Sequence, residues 1–218
     1  TWPGMRAATS AAMSSRSWFL TDVGPVAAKK KYTFYKPSAA AIDRIAPGDT
    51  VKLIFEFSSD DPAVPEAERM WVLVDEVVAP GRFRGRLDND PYHIKGLKAG
   101  DPVEFEACNI IQTPHDPADD LPGRYRARCF VTSRVLYDGA PVGYLLREEP
   151  DQDNDSGWRF FANDESDDYF DTPENLHFVA LGAVLNCDDT FIGLLDSPLG
   201  SAFLRDEATG QFVVPDEA

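Results

Sequence analysis

Cysteine is scarce in this sequence: Cys108, Cys129 and Cys187 stand far apart and form no CxxC pair. Such spacing argues against a disulfide scaffold and against a zinc site, and it fits a reducing compartment. No apolar run approaches the roughly 18 residues that a membrane span requires. Residues 1–17 are small and polar and lack the compact apolar stretch of a secretory signal, so a cytoplasmic protein is expected. Histidine is equally sparse. His93, His115 and His177 sit in unrelated contexts, none beside a G-x-S-x-G elbow or a cysteine with the surroundings of a known nucleophile. Phosphate-binding loops and dinucleotide fingerprints are missing too, so no catalytic residue, cofactor or metal is assigned. Cys187, directly after Asn186, is expected as a buried helix-end residue and not as a nucleophile.

What is present is apolar and acidic. Hydrophobic residues make up 43% of the 218, with 14 Phe, 7 Tyr and 4 Trp, enough for one large core or two small ones. The net charge of −16 is uneven. Residues 1–115 hold 14 Lys+Arg against 15 Asp+Glu; residues 116–218 hold 7 against 22, a net of −15. A field of that sign repels nucleic acid and anionic membranes and attracts basic proteins. The plainer alternative is that the acidity only serves solubility.

The pattern predicts an α+β protein with a small β-rich, barrel-like N-terminal domain and an α+β C-terminal domain of antiparallel sheet and short helices. Residues 1–31 are expected as a poorly ordered leader, with Met13 a candidate natural start and Lys29, Lys30 and Lys31 a solvated turn. The β-rich domain spans 32–112, opening on a strand-like Tyr32-Thr33-Phe34-Tyr35 and a short helix capped by Ser38 with Ile42 and Ile45 buried. Val51, Leu53, Phe55 and Phe57 alternate as a half-buried strand, followed by strands at 70–78, 82–87 and from Val103 through Phe105 to Ala107. Pro47-Gly48-Asp49 and Ala99-Gly100-Asp101 share one turn chemistry, and Asp88-Asn89-Asp90-Pro91 reads as a turn whose Asx side chains bond their own backbone. Residues 113–123 are the linker and 124–218 the acidic domain. In the latter, strands at 126–136 and 142–149 flank Asp138-Gly139 as a hairpin, 158–162 forms a third strand, and Thr172-Pro173-Glu174 opens a helix carrying Val179, Val184 and Leu185. Asp188 or Asp189 caps a second short helix, and 201–205 pairs with 211–214 around Thr209-Gly210.

The densest constellation is Glu148, Glu149, Asp151, Asp153, Asp155, Trp158, Arg159, Asp164 and Glu165. Three alternating aspartates point to calcium, but the EF-hand spacing fails: Ser156 stands where glycine belongs and Ala162 where a bidentate Glu belongs. A solvated acidic loop that binds a partner is the simpler reading, with Trp158 and Arg159 either in the recognition surface or, with Phe160 and Phe161, in the core. Paired carboxylates for acid–base work are the other reading of the same residues.

Cys129-Phe130-Val131-Thr132, Val142-Gly143-Tyr144, Arg147-Glu148-Glu149-Pro150, Asp155-Ser156-Gly157-Trp158-Arg159-Phe160-Phe161, Glu165-Ser166, Pro173-Glu174-Asn175 and Leu195-Asp196-Ser197-Pro198 together resemble a bacterial family, domain-of-unknown-function family 2185. It is a predicted immunity-protein domain, type 33, of polymorphic toxin systems. The N-terminal half is similar to the uncharacterised domain-of-unknown-function family 2314, through Pro47-Gly48-Asp49, Glu68-Arg69-Met70-Trp71-Val72, Leu87-Asp88-Asn89-Asp90-Pro91 and Lys98-Ala99-Gly100-Asp101. The first resemblance implies an α+β inhibitor that binds and neutralises a toxin, with no catalytic residue and no cofactor. Beside a protein-binding module acting on a basic toxin stand two alternatives: a metal-dependent enzyme using the acidic cluster, and a housekeeping scaffold.

Overall fold

A computed structural model describes residues 17–215. The Met13 start and the first part of the expected leader lie outside the described residues. Two compact units divide the chain: residues up to Val23 together with Pro37–Asp116, and Gly24–Lys36 together with the residues from Pro117 on.

The described residues open with β1 (Trp18–Leu20) and a short helix α1 (Gly24–Lys29). Residues 18–29, expected as leader, are thus regular elements, because Trp18 packs its ring on Phe55 and the strand pairs with Phe55–Phe57. Tyr32-Thr33-Phe34-Tyr35 is not a strand. Asn186 accepts the Tyr32 N–H at 3.1 Å, and Asp189 accepts the Tyr32 hydroxyl at 2.8 Å and the Lys31 ammonium at 2.7 Å, so side chains of the second unit hold this segment in irregular form.

The first unit is a nearly closed barrel. After α2 (Ala39–Ile42), capped by Ser38, come β2 (Thr50–Phe57), β3 (Ala67–Ala79), β4 (Arg82–Leu87), β5 (Pro102–Glu106) and β6 (Ile110–Gln112). Neighbours from β1 to β5 pair antiparallel in chain order. A 3-10 turn at Ala107–Asn109 then bends the chain, so that β6 pairs with β2 on the edge β2 shares with β1. Buried Asn109 fixes that bend, donating to the Thr21 carbonyl at 3.0 Å. Val51, Leu53, Phe55, Met70, Val72, Phe83, Val103 and Phe105 fill the interior from alternate positions. The two Gly-Asp turns are indeed alike: Gly48 and Gly100 sit at φ 98° and 88°, and Asp49 and Asp101 each accept an N–H from three residues back. Asn89 and Asp90 reach further than their own turn, accepting N–H groups of Trp71 and Ala99.

The second unit holds α1, continues with α3 (Leu121–Arg124) and builds a six-stranded sheet from β7 (Arg128–Thr132), β8 (Tyr144–Arg147), β9 (Asp155–Phe161), β10 (Leu176–Ala180), β11 (Ala202–Arg205) and β12 (Phe212–Val213). Its order is β10-β7-β9-β8-β11-β12, antiparallel except for the parallel pair β7–β9. The expected β7–β8 hairpin does not form. Residues Ser133–Leu136 are a helix, α4, and Asp138-Gly139 ends it: Asp138 and Ala140 return N–H groups to the carbonyls of Ser133 and Arg134. A glycine at positive φ serves a helix C-cap as well as a hairpin turn, which is why the dipeptide misleads. Likewise Pro173–Asn175 makes only one 3-10 turn, since Leu176–Ala180 pairs as a strand with β7. Between them α5 (Asp167–Phe170) packs at the sheet margin; α6 (Leu181–Leu185) follows β10, and a 3-10 turn at Ile192–Leu194 replaces the second expected helix. Cys187, just past α6, is exposed rather than buried. The terminal hairpin β11–β12 forms as expected.

Helices α4 and α6 cover one face of this sheet, where Val131, Leu145, Trp158, Phe160, Val184 and Phe191 make the core. Replacing Phe160, fully buried against Phe191 at 4.8 Å, by Ala should cost about 3–5 kcal/mol. Phe161, one residue on and facing the opposite side, should cost markedly less; urea denaturation of the two variants measures the difference.

Candidate functional site

The acidic constellation is organised by one guanidinium. Arg159 lies on β9, and its side chain is only 6% exposed. Nε donates to Glu148 at 2.7 Å, Nη1 to Asp155 at 2.9 Å and to the Trp158 carbonyl at 3.1 Å, and Nη2 to Asp151 and Asp155, both at 2.9 Å. All five N–H donors of the fork are used, and its plane lies 4.7 Å from the centroid of Phe130. An ion taken out of water is tolerated only when so completely paired.

A bulge makes this geometry possible. In a regular strand Asp155 and Arg159 would share a face but stand about 13 Å apart. The register runs from Arg128↔Asp155 to Phe130↔Arg159, two steps on β7 against four on β9. Gly157 takes up the surplus at φ 80°, where a Cβ would lie 2.2 Å from the Glu148 carbonyl oxygen. Asp155, with a fully buried side chain, also accepts the N–H groups of Asp151 and Gly157 and so closes the β8–β9 loop. Burial alone would raise its carboxyl; the bonds from Arg159 and the two amides outweigh that and hold it below the usual range.

The remaining expected residues lie elsewhere. Glu149 and Asp153 are exposed and make no hydrogen bond or ion pair among the described residues. Trp158 is 1% exposed, stacked on Phe160 with its indole N–H on the Leu195 carbonyl, so its ring belongs to the core and not to the surface. Asp164 pairs with Arg134 at 2.6 Å, and Arg134 holds Asp138 as well. Glu165 is a loop brace: it accepts the buried Thr132 hydroxyl at 2.6 Å and the N–H groups of Ala162 and Asn163, both at 2.8 Å. Among the described residues no three His, Cys, Asp or Glu side chains converge as metal ligands.

Two features escaped the sequence. Ser133 Oγ and His177 Nε2 lie 2.7 Å apart, a contact between α4 and β10. No carboxylate orients the ring among the described residues, and the pair works as a tie between elements. The other is the sheet's second face. Phe130, Phe161, Phe178, Tyr144, Leu146 and Leu204 point away from α4 and α6 and belong to neither core cluster. Their signal was the apolar run Trp158-Arg159-Phe160-Phe161, which leaves both faces of β9 apolar apart from Arg159.

Residues 129–214 match the family model described as Immunity protein Imm33 domain. The Imm33 stretch runs from β7 to the end of the terminal hairpin and contains the Arg159 cage, the bulge and both faces of the sheet. No curated protein and no solved structure matches the chain. Among the described residues no helix is long and apolar enough to cross a membrane.

Asp155→Asn should destabilise the unit by about 3–5 kcal/mol, since Arg159 loses its central charged partner. Because the folded-state pKa of Asp155 is lowered, its contribution is present above the unfolded pKa of about 3.9 and disappears as pH falls through the folded one. Urea titrations between pH 3 and 7 should therefore show a steeper loss of stability below about pH 4 in the parent than in the Asn variant, where Asp164, Asp189 and Asp206 still titrate. Gly157→Ala should match Asp155→Asn in direction, by about 1–3 kcal/mol or more; a neutral result would mean the bulge does not set the cage.

Proposed function

We propose that this chain is an immunity protein that binds and neutralises a toxin, with its C-terminal unit docking a basic effector through an acidic surface. The observation that carries the reading is the Imm33 match over residues 129–214, which supports a toxin-immunity role. The acidic mechanism is supported by how the cations are used. All seven basic residues from Asp116 on are arginines, and six of them are engaged inside the unit. Arg124 pairs with Asp119, Arg134 with Asp164, Arg159 with its cage and Arg205 with Asp188, while Arg128 and Arg147 bond carbonyls of Phe178 and Ser197. Cations so occupied leave the excess carboxylates, Glu149 and Asp153 among them, to set the outward field. That field favours an effector that itself binds polyanions, a nuclease for instance, with carboxylates standing where phosphates would go. The barrel unit is an accessory that widens the choice of partner.

Affinity capture from the native host with the full chain as bait, at low and high salt, tests this. One basic protein should be recovered at low salt and lost at high salt, and Glu149→Lys with Asp153→Lys should weaken its binding roughly tenfold, mainly through the association rate. Bait that stays empty at both salts sinks the reading.

A further inference from the structure

The sheet of the second unit has two apolar faces and helices on one. On the other, cross-strand register sets Phe178, Phe130, Arg159, Leu146 and Ala202 in one row over five strands. Phe161, Tyr144, Leu204 and Val213 follow in the next. A sheet face left to water normally carries polar side chains at these positions. Here Phe130 and Phe178 lie tilted at 4.9 Å, Tyr144 and Phe161 stack at 6.0 Å, and Phe170 from α5 stands edge-on to Phe161. Around this field stand exposed apolar side chains: Phe170, Leu176, Leu199 and Val213, each 40–47% accessible. Contiguous apolar surface of this kind marks an interaction site.

The rings are also fixed in place. Arg128 lies 4.5 Å over Phe178 and Arg159 lies 4.7 Å over Phe130, each guanidinium anchored by hydrogen bonds of its own. Fixed aromatic anchors lose little freedom on binding. Beside the β8–β11 pair the face runs into a groove of about 480 Å³ lined by Tyr144, Leu146, Leu199, Ala202, Glu148 and Glu149, and by Arg147, whose guanidinium is held by the Ser156 and Ser197 carbonyls. Glu148 is committed to Arg159, whereas the Glu149 carboxylate is exposed and makes no bond among the described residues. An apolar trough with an uncommitted carboxylate at its rim suits the hydrocarbon stem and charged head of Lys or Arg.

We infer that this outer face is the surface that docks the partner, and that the groove receives a Lys or Arg side chain of a basic protein, a site that rests on the immunity reading above. Aromatic side chains at the centre and acids at the rim give it the anatomy of a specific interface.

The test uses the full chain and two surface variants, Leu199→Asp and Glu149→Lys, with exposed Tyr137→Asp, just past α4, as control; unchanged melting shows that each folds. A peptide, acetyl-Gly-Arg-Leu-Arg-Gly-amide, is titrated while backbone amide shifts are followed, beside its citrulline analogue. Saturable shifts at Leu146, Ser201 and Ala202, at least tenfold weaker in Glu149→Lys and absent with citrulline, are expected. Shifts that avoid the groove, or that citrulline reproduces, overturn the groove. In capture from host lysate, a basic protein reduced tenfold by Leu199→Asp or Glu149→Lys but retained by Tyr137→Asp supports the face. Capture unchanged by both variants overturns the face and leaves the immunity reading standing. An empty lysate capture with the peptide still in the groove removes the immunity reading and supports the Lys/Arg site. A concentration-dependent dimer dispersed by Leu199→Asp assigns the face to a second copy and overturns the proposal.

Discussion

A guanidinium in the middle of a sheet is unstable unless every donor finds a partner, and most of the second unit's architecture can be traced to meeting that condition at Arg159. Three carboxylates must reach it, and they come from the end of β8, from the β8–β9 loop and from the start of β9 itself. The loop therefore has to fold back over its own strand. That return needs the bulge, and the bulge needs Gly157. The tie also secures the β7–β9 pair, the parallel pairing of an otherwise antiparallel sheet. Phe130 lies against the guanidinium, and Ser156 donates across to the Arg128 carbonyl at 2.8 Å.

What the sequence disclosed and what it hid divide along the same line. Period-2 patterns such as Val51, Leu53, Phe55 and Phe57 are local, and so are Ser38 before a helix and Gly-Asp before a strand; these were legible. The order of the second sheet was not, because β9, which follows β8 in the chain, lies between β7 and β8, and nothing local records that insertion. Asp138-Gly139 was locally correct as a turn and globally wrong as a hairpin. The acidic loop was visible as a cluster of charge. Its inner role was hidden, since only the folded bulge shows that Asp151 and Asp155 pair with Arg159, Asp155 with its side chain fully buried. Trp158 could be assigned to core or surface from its neighbours, and the register with Arg147 decides for core.

The division of the carboxylates bears on function. Glu148, Asp151 and Asp155 are structural, so changing them perturbs folding before it perturbs any contact. Glu149 and Asp153 carry charge of the same sign from the same loop with no internal commitment. Charge on exposed side chains contributes little to stability, yet charge of this kind governs the rate and salt dependence of encounters with oppositely charged molecules in general.

That separation of roles lets the outward charges vary without disturbing the fold. Specificity is a difference between affinities, set as much by repelling wrong partners as by attracting the right one. Exposed rim residues such as Glu149, Asp153 and Leu199 can be exchanged at small cost in stability, whereas the aromatic rows behind them are pinned by Arg128 and Arg159. The cage thus does more than tolerate a buried charge. It holds a rigid apolar platform in place while the loop it closes presents exchangeable charges at the platform's edge.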